Sequence, residues 1–197
     1  MRQIAKAAGI AQALLHYHFH TKERLYEAVF ERRSTVINAQ RRKILNALFT
    51  EKRSPTIEDV LKTYYEPVMS DVGVGNAAFA QMVTSLSLGG DERARKLITK
   101  YYDPIAREYI AAFRKVEPRL DDAMAVWAYL LAYGARTHVS SVSKRAERLS
   151  NGKCDTSDFN RSMTVLIEFV AAGIKALSKG APFQRDKGSR SVKTRCA

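Results

Sequence analysis

With 197 residues, 46% of them hydrophobic and 27% charged, the chain can bury one sizeable core and is neither a disordered polyelectrolyte nor a small disulfide scaffold. Its net charge of +13 is uneven: residues 1–53 hold 11 Lys and Arg against 4 Asp and Glu, residues 54–178 hold 16 against 15, and residues 179–197 hold 6 against 1. A neutral middle between basic ends directs any polyanionic partner to the ends.

Proline is rare and helix formers dominate, which predicts an all-α protein. Residues 1–20 read as two short helices broken at Gly9. Thr21 is a helix N-cap, followed by Glu23 and Glu27 and by apolar Leu25, Tyr26, Val29 and Phe30. That helix is expected to reach about Phe49 with a basic band at Arg41, Arg42 and Lys43, before EKRSP (51–55) ends it. A helix from Ser54 or Thr56 to about Ser70 comes next, then a loop at DVGVGN (71–76) and an apolar helix over 77–88. GGDER (89–93) marks a break. The following helix is expected to run to about Lys115 with a bend at Pro104. EPRLDD turns the chain into a long helix from Leu120 to about Arg148. SNGKCDTSD is a polar loop, and residues 158–178 form the last helix. Residues 179–197 read as a basic, disordered tail.

The last two long helices are apolar nearly all round, so each needs cover on two sides. One face serves the chain's own core. The other suits a second copy, pairing two helices from each chain in a four-helix interface. Val126, Leu130 and Tyr133 from the first helix, and Met163, Ile167, Val170 and Ile174 from the second, are the candidate dimer contacts. A central helix buried within a monomer is the competing reading.

Cys154 and Cys196 lie far apart without metal-site spacing, which fits a reducing cytoplasm. The longest apolar run, AMAVWAYLLAYGA (123–135), is too short to span a bilayer. Sequence signatures of hydrolases, zinc proteases, nucleotide-binding loops and redox dithiols are absent, so an enzyme is not expected. No cofactor or metal is expected either. His16, His18 and His20 alternate, and only a strand would bring all three to one face. A helix splits them.

The most informative stretch is RQIAKAAGIAQALLHYHFHTKERLYEAVF, residues 2–30. Ile4-Ala5, Ala8-Gly9-Ile10, Tyr17-His18-Phe19 and Thr21-Lys22-Glu23 with Leu25 and Val29 stand at the spacings of a helix-turn-helix followed by a capped helix. Gly9 supplies the left-handed turn and small Ala5 allows a close crossing. Over roughly residues 2–33 the chain resembles the DNA-binding segment of the TetR family of bacterial transcriptional regulators. The resemblance implies a head at 1–33, an effector-binding and dimerisation domain at 34–178, and a cytoplasmic homodimer that binds double-stranded operator DNA.

Carried over by position, Gln12, Ala13, Leu14 and His16 face base edges. Tyr17, His18 and Lys22 face phosphates, and Ile10, Leu15 and Phe19 form the small core of the head. The family's pattern includes an earlier helix, which has no counterpart ahead of Ile4 in this sequence. Ile4, Ala8 and Phe30 are therefore expected to be more exposed than in the family. A helical ligand-binding or adaptor protein that does not bind DNA is the alternative reading. The resemblance also implies a small-molecule pocket in the second domain. Phe79, Met82, Leu86, Tyr101, Tyr102, Tyr109, Phe113, Trp127 and Leu131 are its candidate lining. Few charges interrupt that set, which points to an apolar or amphipathic effector.

Overall fold

The computed structural model describes residues 1–69, 74–139 and 144–180. Among them the fold is helical throughout, in the order α1 (Arg2–Ala8), α2 (Gln12–Phe19), α3 (Lys22–Glu51), α4 (Ile57–Met69), α5 (Val74–Leu88), α6 (Glu92–Tyr101), α7 (Asp103–Val116), α8 (Asp122–Val139), α9 (Arg145–Leu149) and α10 (Phe159–Lys179). None of these helices is long and apolar enough to cross a membrane.

The boundaries follow local chemistry. Gly9 sits at φ 67° and closes α1 with a pair of reversed bonds: its N–H donates to the Lys6 carbonyl (3.2 Å) and that of Ile10 to the Ala5 carbonyl (3.0 Å). Thr21 Oγ1 accepts from the Arg24 N–H (3.1 Å) and starts α3. At the head of α4, the Thr56 N–H donates to the Asp59 carboxylate and the Asp59 N–H donates to Thr56 Oγ1, a reciprocal cap. Asp91 and Asp158 cap α6 and α10 by a single bond each, accepting from the N–H of Ala94 and of Arg161.

Three expected boundaries differ. The segment expected as a loop at 71–76 is helical from Val74, while residues 70–73 lie outside the described part. Pro104 does not bend one helix. It stands in the first turn of α7 after a break at Tyr102, where its missing N–H costs nothing. The helix expected over 120–148 is described from Asp122 to Val139, and residues 140–143 lie outside the described part. A separate short helix, α9, begins after Lys144, which adopts a left-handed φ of 48°. The tail beyond Gly180 lies outside the described residues.

The main core is built where α4 packs against α3, α7 and α10, and α8 against α7 and α10. Tyr64, Tyr65, Tyr109, Phe113, Ile105 and Leu120 are among its largest buried side chains. Buried phenols need partners. Tyr65 donates to the Ala132 carbonyl (3.1 Å), Tyr64 to the Tyr129 hydroxyl (3.3 Å), and Tyr109 pairs with Thr63 (3.2 Å). A second, smaller cluster joins Phe30 of α3 to Phe79 and Val83 of α5 and Leu97 of α6.

Candidate functional site

Three places are candidates for contact with other molecules. The first is the outer face of α1 and α2. Ala5 and Leu15 are buried where the two helices cross, and Phe19 is half-buried. Ile10, expected in this small core, is instead exposed, because it stands at the turn beyond the crossing. Gln12, Ala13, Leu14, His16, Tyr17, His18 and Lys22 are all exposed. The Gln12 amide donates to His16 Nε2 and His16 Nδ1 donates to the His20 carbonyl, both at 3.2 Å. This short chain of bonds orients the first and second turns of α2. Arg2, Lys6 and Arg24 are exposed beside them. The face therefore offers an eight-residue helix, one amide, aromatic and imidazole groups, and cations, with Glu23 the only carboxylate within residues 1–24. Such a set suits a phosphate-rich, base-bearing surface.

Of the two residues expected to lose cover with Ile4, Ala8 is exposed and Phe30 is not. Phe30 is fully buried, with the rings of Phe79, Tyr101 and Tyr102 at 5.9, 5.9 and 5.7 Å. Its cover comes from α5 and α6 and the residue after it, not from the head.

The second place is a cavity of about 400 Å³ beside α3. Residues 32–41 of α3 form one wall, and Phe79 and Val83 of α5, Tyr102 and Arg136 of α8 close it. The volume lies within the ~300–1,000 Å³ usual for small-molecule sites. Of the candidate pocket residues, Phe79 and Tyr102 line this cavity. Met82, Leu86 and Tyr101 pack against the small cluster beside it. Tyr109 and Phe113 belong to the main core. Trp127 and Leu131 are 54% and 59% exposed on the outer side of α8 and take no part in the cavity. Their helical spacing set them with core residues, but α8 turns Ala125, Ala128 and Ala132 inward instead.

The cavity also carries charges the sequence reading did not expect: Arg32, Arg33, Arg41 and Arg136 line it, and no Asp or Glu does among the described residues. Arg41 is 2% exposed. Its Nε donates to the Tyr64 carbonyl (3.1 Å) and its Nη1 to Asn38 Oδ1 (3.4 Å). Burial pushes the Tyr102 phenol up, against the pull of the Arg41 and Arg136 charges. A sequence signal existed in hindsight. Arg33, Ile37 and Arg41 share one side of α3, and Arg136 interrupts an otherwise apolar helix.

The α8–α10 pair presents a third, apolar surface. Val126 and Leu130 are exposed there, joined by Trp127 and Leu131. Tyr133 is half-buried and donates to Ser87 Oγ (3.1 Å). On α10 the stripes are exchanged relative to expectation. Met163, Val170 and Ile174 are buried in the chain's own core and Ile167 is half-buried, whereas Val165 and Phe169 are exposed. Both stripes of α10 are apolar, and the one that meets α4 and α8 is Met163-Leu166-Val170-Ile174.

Comparison with known families gives two matches. Residues 1–29 match the family model described as "Bacterial regulatory proteins, tetR family". Residues 62–173 match the one described as "Tetracyclin repressor-like, C-terminal domain". No curated protein matches the chain.

Proposed function

The chain belongs to the TetR family of bacterial regulatory proteins, and from that premise we propose that it is a ligand-responsive repressor. Two copies pair through Val126, Trp127, Leu130, Leu131, Val165 and Phe169. All six are exposed apolar side chains on two helices that pack against each other, and exposed apolar groups gathered on one face mark a protein interface. The two heads then address successive major grooves of a palindromic operator, roughly 34–36 Å apart.

In each head α2 enters the groove. Gln12 pairs with a base edge, Ala13 and Leu14 touch apolar base surface such as a thymine methyl, and His16 stands beside them. Tyr17, His18 and Lys22 hold phosphates. Lys22 is at the N-terminus of α3, where backbone N–H groups also favour an anion.

The observation that carries this reading is the continuity of α3. One unbroken helix starts at Lys22 on the proposed DNA face and carries Arg41 in the cavity wall. The 19 residue steps from one to the other span about 28 Å at 1.5 Å per residue. A small amphipathic effector that shifts the cavity wall therefore shifts the head with it. An effector that favours a head spacing other than the operator's lowers operator affinity by linkage.

The test is selection of bound duplexes from a random pool by the purified protein, with the mass of the complex measured by light scattering. A two-fold symmetric consensus bound by two chains supports the proposal. Recovery of unselected sequence alone, or of no duplex at all, overturns it in favour of a helical ligand-binding protein.

A further inference from the structure

The ligand chemistry of the cavity can be taken further, and this step rests on the reading of the cavity as the effector site. Arg136 is 5% exposed. Its Nε has no hydrogen-bond partner, and among the described residues no carboxylate pairs with it. The Tyr133 ring, 5.4 Å from its Cζ, softens the charge without neutralising it. Arg41, equally buried, is held by a carbonyl, an amide oxygen and the face of Tyr64 at 4.5 Å, all uncharged. Among the described residues, two buried guanidinium groups thus line one cavity with no carboxylate in its lining. Buried cations are costly unless paired, so an unpaired one facing a cavity calls for an explanation. The rest of the wall is apolar where it meets Ile37, Phe79 and Val83.

We propose that this cavity binds an organic anion, a single acid group carried on an apolar body. The acid group lies between Arg41 and Arg136, and the body lies along Ile37, Phe79 and Val83. Arg32, exposed at the α3 side of the cavity, adds a positive field that draws an anion in.

The test uses two dyes of nearly one shape in the absence of DNA. Anilinonaphthalene sulfonate carries the acid group, and N-phenylnaphthylamine lacks it. Fluorescence titration of the wild-type protein is expected to show saturable binding of the sulfonate. Arg136→Met is expected to weaken the sulfonate by ~10–100-fold, the worth of a charge-assisted hydrogen bond, and to leave the neutral dye within a few-fold. Arg136→Lys keeps the charge and is expected to retain most of the binding. Val83→Trp fills the cavity without touching an arginine and is expected to block both dyes, whereas Leu149→Ala, exposed on α9 and outside the cavity lining, should change neither. Sulfonate binding that survives both Arg136→Met and Val83→Trp, in variants whose circular dichroism is unchanged, overturns the proposal. So does loss of binding in Leu149→Ala. Adding operator DNA separates the two levels: a dye that fills the cavity without changing DNA affinity upholds the anion site and removes its effector role.

Discussion

Arg93 Nε donates to Glu27 Oε1 at 3.0 Å, joining the start of α6 to the second turn of α3. The same guanidinium donates to the Glu23 carbonyl (3.0 Å) and lies 5.2 Å from the Tyr26 ring. Both side chains of the ion pair are more than a third exposed, so the pair contributes at most about 1 kcal/mol to folding. Its weight is positional. It ties the proposed DNA-facing end of α3 to the larger domain. Arg93→Ala is expected to unfold within about 1 kcal/mol of wild type and to weaken operator binding by ~2–30-fold, the range of 0.5–2 kcal/mol couplings. Wild-type affinity for the operator would show that the head is oriented without this tie.

Phe30 is the buried anchor of the same helix. Its ring packs on Phe79, Tyr101 and Tyr102. Phe30→Ala is expected to destabilise the protein by ~3–5 kcal/mol, transfer and cavity terms together. Urea denaturation followed by circular dichroism measures this. A cost below 1 kcal/mol would mean that α3 is not fixed to α5 and α6 through this ring.

The head of α4 gives a pH dependence. Burial presses the Glu58 carboxyl upward, but its hydrogen bond to Lys175 of α10, further hydrogen bonds at the helix start and the Lys175 charge outweigh it. Asp59 behaves alike. Burial raises it, and the hydrogen bonds to Lys52 and Thr56 bring it lower. Both carboxyls thus titrate below their ordinary values in the folded protein. Their contribution is complete above about pH 4–4.5, the unfolded values, and disappears as pH falls through the lowered folded values. Lys175→Met is expected to lower stability at pH 7 by about 0.2–1 kcal/mol, read as a lower midpoint of thermal unfolding, because the pair is partly exposed. The gap from wild type should narrow as pH falls below the unfolded values and close once both carboxyls are protonated in the folded protein. A gap that persists there assigns the loss to packing of the lysine stem instead.

Phe169 is 74% exposed on α10. Phe169→Glu is expected to convert a dimer into monomers at micromolar concentration, read by light scattering, with helix content unchanged. A wild-type protein that is monomeric, or a variant that stays dimeric, removes this face from the interface.

The head was largely legible in the sequence because its rules are local. Gly9 at a left-handed turn and Thr21 as a cap each act within a few residues. Phe30 was misread because its cover, Phe79, Tyr101 and Tyr102, lies about 50–70 residues further on. The two stripes of α10 are both apolar, so periodicity alone does not say which meets α4 and α8 and which, with Val165 and Phe169, stays outside. Arg41 and Arg136 each look like an ordinary surface charge in the sequence. Only the folded arrangement of the helices brings both to the lining of one cavity. Trp127 and Leu131 fail in the opposite sense. They are large and apolar, yet small Ala128 and Ala132 occupy the inner side of α8.

The most direct test of the central claim is a fluorescence anisotropy titration of the selected operator against a scrambled duplex, from 50 to about 200 mM salt. Wild type, Gln12→Ala and Lys22→Ala are compared. With α2 in the groove, wild type prefers the operator, and its log affinity falls linearly with log salt. Gln12→Ala loses ~1–3 kcal/mol on the operator with little change on scrambled DNA, whereas Lys22→Ala weakens both and shallows the salt slope by about 1. Equal affinity of all three proteins for both duplexes at every salt concentration would contradict the account.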